Sequence, residues 1–147
     1  VKTSVNGYAL IKANEVGQRG HPLLFAKDDC GKCQIGYGHD LELHESYPNG
    51  ITEEFAETLL VDDVQQWEVV LNSLVPATCT QNQFDALIDF THNCGTGALR
   101  QLLGHGWEQV PVQLKRWCFA HVKGKLMELN SLRLRRDKEI ALFNTPE

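Results

Sequence analysis

Asp28-Asp29-Cys30-Gly31-Lys32-Cys33-Gln34-Ile35-Gly36-Tyr37-Gly38-His39, with Glu15 upstream of it, is the stretch on which the reading of this chain turns. It sets carboxylates just ahead of a glycine-rich strand that carries an aromatic and a histidine. Two carboxylates held across a cleft are the minimum equipment for breaking a glycosidic bond. One protonates the leaving oxygen, and the other handles the water or the sugar cation. Most carboxylate pairs in a sequence are solvated surface groups, so the surroundings carry the weight.

Upstream, a first helix is expected over about 4–14, with Ser4 as its cap and Val5, Tyr8, Ile11 and Glu15 near one face. Residues 16–49 contain Gly, Pro and short alternating apolar runs, as in 34–41, and predict a small β-rich lobe. Asn49-Gly50 is a strong turn signal. Thr52 is a good N-cap, Glu53 and Glu54 suit the positive end of a helix dipole, and apolar residues recur at 56, 59, 60, 64, 67, 70 and 71. That period predicts a long linking helix. Thr80-Gln81-Asn82-Gln83 is a capping box ahead of Phe84, Leu87, Ile88 and Thr91. Gly95 and Gly97 are expected to stop that helix, with shorter helices following at about 97–103, 112–122 and 132–143, the middle one preceded by Pro111. The architecture predicted is a single α+β domain over 1–147. Residues 1–50 would give the first helix and β lobe, and 51–147 the linking helix and a larger helical lobe, with a cleft between the lobes.

The 147 residues suffice for one domain with a real core, and 42% hydrophobic with 22% charged residues describe an ordinary globular protein. No apolar run approaches the ~20 residues that span a bilayer, so membrane insertion is not expected. Residues 1–15 lack the apolar core and cleavage pattern of a signal peptide. The expectation is a chain made in the cytoplasm and released, or secreted with its targeting segment already removed. The net charge of -5 conceals an asymmetry: 5 Lys/Arg against 14 Asp/Glu over 1–99, and 9 against 5 over 100–147. The basic part can steer the chain toward an anionic surface, or simply be a solvated helix face. An acidic chain argues against nucleic acid as a partner. Five cysteines, at 30, 33, 79, 94 and 118, make an odd set. Cys30 and Cys33 can be a redox pair, half of a zinc site completed by His39 and His44, or two unrelated thiols. Redox catalysis is disfavoured because the pair leads into a strand rather than a helix. Cys79, Cys94 and Cys118 read as small buried hydrophobes.

The segment 28–39 resembles the active-site loop and strand of phage-type lysozymes, glycoside hydrolase family twenty-four. Their pattern is a glutamate closing the first helix, then an aspartate, a glycine, a threonine and Ile-Gly-Tyr-Gly-His. Gln83-Phe84-Asp85-Ala86-Leu87 and Phe90-Thr91-His92-Asn93-Cys94-Gly95-Thr96-Gly97 resemble the family's next helix and its exit. Arg116-Trp117, Gly124-Lys125, Arg135-Arg136, Glu139 and Leu142-Phe143 resemble its C-terminal signature. The resemblance covers nearly the whole chain in order. This chain departs from the pattern at Gln34, which stands where the family has threonine, at Val16, and in about four extra residues between Glu15 and Asp28.

The resemblance implies a lysozyme-like fold and an antimicrobial, bacteriolytic muramidase acting as a monomer on bacterial peptidoglycan, with no cofactor or metal. Glu15 would protonate the glycosidic oxygen. Lying where unpaired helix carbonyls make the potential negative, it would hold its proton more tightly than in water. Asp28 would assist water or offset the sugar cation, with Asp29 as the fallback; either can instead cap the turn at Gly31. Gln34 can hold the water, or, being longer than threonine, take its place. Tyr37 and Asn93 are candidate sugar contacts, as is Trp107, while Trp117 is expected in the core. His39 is expected to be structural. Arg135 or Arg136 would fork onto Glu15, unless both pair with Asp137 or Glu139 on their own helix.

Overall fold

A computed structural model describes residues 1–29 and 32–147, with the backbone alone at Asp29. The alternatives raised for Cys30 with Cys33, and the fallback role of Asp29, therefore lie outside the described residues.

Ser4 caps α1 (Val5–Val16) by accepting from the Gly7 N–H, which satisfies one of the unpaired donors of the first turn. Gly7 also lets the helix approach its neighbour closely, since a Cβ there would lie 2.7 Å from Asp85 Oδ1. Ile11 is fully buried on this face, a contribution of about 1.5–3 kcal/mol. Gly17, at φ 51°, ends the helix just beyond Glu15. A short 3-10 turn over Gly17–Arg19 then leads into the sheet.

Three antiparallel strands follow in the order β1 (Leu23–Asp29), β2 (Lys32–Gly36) and β3 (His39–Asp40). Lys27 pairs with Gln34 and Asp28 with Cys33, after an irregularity between Leu23 and Lys27. On the other edge, Gln34 pairs with Asp40 and Ile35 with His39. The Asn49-Gly50 turn forms where expected. Gly50 takes φ 76°, and a Cβ there would lie 2.7 Å from the Leu24 carbonyl, while the Ile51 N–H donates to that same oxygen at 2.8 Å.

The linking helix α2 (Glu53–Asn72) starts at Thr52, whose hydroxyl accepts from the Phe55 N–H. Helix α3 (Gln81–Leu103) carries the capping box between Thr80 and Gln83 in full. It runs through the centre of the core, burying Phe84, Leu87, Ile88, Phe90, Leu99 and Leu102, and packs on α1, α2 and the last helix, α5 (Asn130–Phe143). The expected stop at Gly95 and Gly97 is instead a break at Gly95 alone (φ 84°, ψ 169°), after which helical geometry resumes through Gly97 to Leu103. A backbone at that φ suits only glycine without strain.

The expected helix over 112–122 is replaced by other structure. A single short turn, α4 (Val110–Leu114), carries Pro111 at its start. An antiparallel ribbon follows, β4 (Phe119–Val122) with β5 (Lys125–Glu128), turning at Lys123-Gly124. Both turn residues have positive φ, 50° and 79°, the geometry of a two-residue hairpin loop. The β-branched and aromatic content of 117–122 favours strand over helix. The result is a mixed α+β fold with a small sheet and a larger set of helices.

Candidate active site

Glu15 sits in the last turn of α1 with its side chain 17% exposed. Arg135, on α5, donates from Nη1 to Glu15 Oε1 at 2.8 Å. The rest of that guanidinium is held by Asp89 of α3, with Nε to Oδ2 at 2.9 Å and Nη2 to Oδ1 at 2.8 Å. This is a two-point clamp with planar geometry on both sides. It fixes the one nitrogen that reaches Glu15. The other carboxylate oxygen is set by Gly38: a Cβ there would lie 2.7 Å from Glu15 Oε2 and 3.1 Å from His92 Nε2. His92 Nε2 contacts the Tyr37 carbonyl at 2.7 Å and stands 3.9 Å from Glu15 Oε1. The carboxylate is therefore oriented from α3, α5 and the turn between β2 and β3.

Behind it lies a buried charge cluster. Burial pushes the Asp89 carboxyl up, and the charge and hydrogen bonds of Arg135 outweigh that, leaving it below its ordinary range. Glu139 goes the other way: burial raises it well above the ordinary carboxylate range, Arg136 offsets only part of this, and the Asp89 charge adds to it. The cluster thus shifts two neighbouring carboxyl groups in opposite directions. Arg136 donates from Nη2 to Glu139 Oε1 at 2.6 Å and to Asn93 Oδ1 at 2.9 Å, and its guanidinium lies 5.0 Å from the centre of the Phe90 ring. Of the two arginines named from sequence, Arg135 meets Glu15 and Arg136 supports the core beside it. Asn14 and Lys138 extend the cluster, with Asn14 Nδ2 on Asp89 Oδ2 and Lys138 Nζ on Asn14 Oδ1, both at 3.0 Å.

In front of Glu15 is a cavity of about 170 Å³ lined by Glu15, Arg19, Leu23, Lys27, Gln34, Gly36 and Gly38. Gly38 is shared with a second cavity of about 400 Å³, whose walls include His39, Glu45, Asp63, Trp67 and His92. Together they run along the sheet and α2. A larger depression of about 800 Å³ lies on the outer face of α2 over Thr52–Asp62, carries four carboxylates and does not reach Glu15.

The structure brings Glu15 and Gln34 to one cavity and leaves Asp28 off its wall. Strand alternation explains this: Lys27 faces the cavity with its partner Gln34, so the next residue points to the opposite face. Gln34 is also engaged, its Nε2 donating to Asp40 Oδ1 at 2.7 Å, which leaves Oε1 as its remaining acceptor. Tyr37, expected to meet sugar, is instead packed in the core at 9% exposure, because the turn of the glycine-flanked strand points its ring inward. Asn93 likewise spends its carbonyl on Arg136 and on the Cys94 thiol. Trp117 packs edge-on against Phe90 at 5.6 Å, and Trp107 lies 5.3 Å from the Phe143 ring.

His39 is a structural cation. Its Nδ1 lies 2.9 Å from Asp63 Oδ2 and its Nε2 3.1 Å from Glu45. The Asp63 hydrogen bond leads in raising its pKa to about 9, against an opposing push from burial. It joins β3 to α2 and so holds the sheet against the helices. Lys27 and Asp89 were not singled out from sequence as parts of the site, and Glu139 was named only as an alternative partner for the arginines, a pairing that Arg136 makes. Lys27 enters the site through its pairing with Gln34, a register the sequence does not fix. Among the described residues no group of three or more His, Cys, Asp or Glu converges as a metal site.

A family model described as "Phage lysozyme" matches residues 18–139. The endolysin of Acyrthosiphon pisum secondary endosymbiont phage 1 is 32% identical over 148 residues, covering 97% of both chains. The endolysin of Salmonella phage P22 is 33% identical over 152 residues, covering 97% of this chain and 98% of its own. Among solved structures, the muramidase domain of SpmX from Asticaccaulis excentricus aligns with a TM-score of 0.81, 34% identity and 99% of both chains. The endolysin of Escherichia coli O157:H7 phage FAHEc1 aligns with a TM-score of 0.79 and 29% identity, covering 98% of this chain and 94% of that one.

Proposed function

This chain belongs to the phage lysozyme family of glycoside hydrolases, and we propose that it cleaves the β-1,4 bond between N-acetylmuramic acid and N-acetylglucosamine in bacterial peptidoglycan, lysing the cell. The observation that carries this reading is the placement of Glu15: one oxygen held by Arg135 at 2.8 Å, the other against Gly38, at the wall of an open cavity. Glu15 donates a proton to the glycosidic oxygen. Asp28 is the second carboxylate, on the strand that forms the cavity's far wall. Because β1 turns it away from the cavity, it takes the proton of the attacking water or offsets charge at the sugar carbon only once bound glycan draws that strand end round. Gln34 Oε1 orients that water. The catalyst acts as a monomer and as one domain, reaching the wall by release from the cytoplasm or by secretion.

A second reading is favoured by one observation: Gln34 is tied to Asp40, and Lys27 rather than Asp28 lines the cavity. On that reading the groove holds glycan without turning it over. Clearing of a peptidoglycan suspension separates the two. The enzyme reading expects lysis by the parent and a fall of about 10²–10⁴-fold in Glu15→Gln, the usual loss on removing a general acid. Pelleting with peptidoglycan in the absence of any clearing would establish the second reading instead.

A further inference from the structure

We propose that the β4–β5 ribbon docks the protein onto an anionic phospholipid surface. The ribbon carries large apolar side chains in water: Phe119 at 51% exposure, Leu126 at 63% and Met127 at 47%. All four residues of β5 are exposed. The register puts Phe119 and Leu126 on one face, across from Glu128 and His121 respectively, and Met127 on the other, across from Ala120. Lys115 and Arg116 precede the ribbon and Lys123 and Lys125 lie at its turn, all exposed, and Glu128 is the single carboxylate between 115 and 128. The tip adds a further sign of purpose. Lys123 is the only non-glycine with positive φ among the described residues, an αL conformation that costs a lysine energy where asparagine or glycine would sit without strain.

Three features select the partner. Cations flanking exposed apolar groups match a negatively charged interface with an apolar layer beneath it. A hydrated wall polyanion would use the lysines and gain nothing from Phe119, Leu126 and Met127. A folded protein would cover one face of a two-stranded ribbon, whereas a fluid bilayer takes up apolar groups from both faces of a tip. The charge distribution over the chain helps further. Residues 1–99 carry 5 positive against 14 negative side chains and residues 100–147 carry 9 against 5. Repulsion of the first part therefore turns the ribbon toward a negative surface. The contact is interfacial, since no helix among the described residues is long and apolar enough to cross a membrane.

Co-sedimentation of the full chain with vesicles tests this. Vesicles of mixed phosphatidylcholine and phosphatidylglycerol should pellet the protein at low salt, and phosphatidylcholine alone should not. Each lysine near such a surface is worth about fivefold in partitioning, so Lys123→Asn with Lys125→Gln should weaken binding by roughly thirtyfold. Asparagine suits the αL position, so this variant keeps the ribbon folded, and an unchanged circular dichroism spectrum and Tm verify it. Leu126→Ser with Phe119→Ser should weaken binding while leaving the charge intact. Clearing of isolated peptidoglycan should be unchanged in both variants, which separates this proposal from the hydrolase assignment. Four results overturn it: no binding to the mixed vesicles, equal binding to neutral ones, retention undiminished in either variant, or a ribbon-dependent dimer in light scattering without vesicle binding. Loss of binding to soluble teichoic acid in the lysine variant, with vesicle retention intact, would assign the ribbon to a wall polymer and overturn it as well.

Discussion

Gly38→Ala puts the arrangement around Glu15 under direct strain. The added Cβ would stand 2.7 Å from Glu15 Oε2 and 2.9 Å from Cδ. Ordinary contact begins at about 3.4 Å, so the carboxylate must retreat by about 0.7 Å. It cannot retreat freely, because Arg135 holds Oε1 at 2.8 Å and Arg135 is itself clamped by Asp89. His92, 3.1 Å from the same Cβ and bound to the Tyr37 carbonyl, blocks the other side. A misplacement of about 1 Å at a reacting group costs on the order of 100-fold, so a loss of about 10–100-fold in turnover is expected. The backbone adds its own penalty. At φ 81°, an alanine pays about 1–2 kcal/mol, which for a chain of this size lowers Tm by roughly 3–8 °C. Peptidoglycan clearance at 25 °C, where the variant remains folded, and a thermal melt measure the two parts separately. A variant that melts lower but clears wall material within about twofold of the parent would refute the account of Glu15 positioning, because strain alone would then have been relieved without disturbing the acid.

Arg135→Met should cost about 3–5 kcal/mol in urea denaturation, since Asp89 would stay buried at 0% side-chain exposure without its partner; a loss under about 1 kcal/mol would show that the cluster relaxes. His39 gives a pH signature. Its pKa is about 9 in the folded chain against an ordinary 6.5, so its ion pairs stabilise fully below pH ~6.5 and the benefit disappears as pH rises through 9. Discounted for partial exposure, the contribution is on the order of 2 kcal/mol. The stability gap between the parent and His39→Gln should therefore narrow from pH 6 to pH 10 in urea titrations, and a gap that stays constant would contradict this.

Local signals were legible wherever one short stretch decides the outcome. Ser4, Thr52 and the Thr80–Gln83 box each cap the helix they announce, because a cap is a bond between residues three apart. The ribbon at 119–128 was missed for the opposite reason. Its turn is Lys-Gly, which lacks the asparagine or aspartate that marks hairpins, and its apolar residues admit a helical spacing. Gly95 was legible as a breaker, and the helix expected at about 97–103 is the part of α3 that resumes beyond it. At the site, Glu15 with Arg135 followed from charge type and resemblance. The exclusion of Asp28 from the cavity wall did not, because it depends on the pairing of Lys27 with Gln34. Asp89 looks like an ordinary surface acid in sequence, and Glu139 like a same-helix partner for the arginines; only the packing of α5 on α3 encloses them.

The bond from Arg135 to Glu15 spans 120 residues of chain. The carboxylate at the groove is thus completed by a helix that is synthesised long after it. A nascent polypeptide that has not yet emitted α5 carries Glu15 and Asp89 with no counter-charge and no fixed direction for either. Such a fragment can build much of the scaffold and still leave Glu15 without its fixed direction, so the site forms only once α5 has packed on α3.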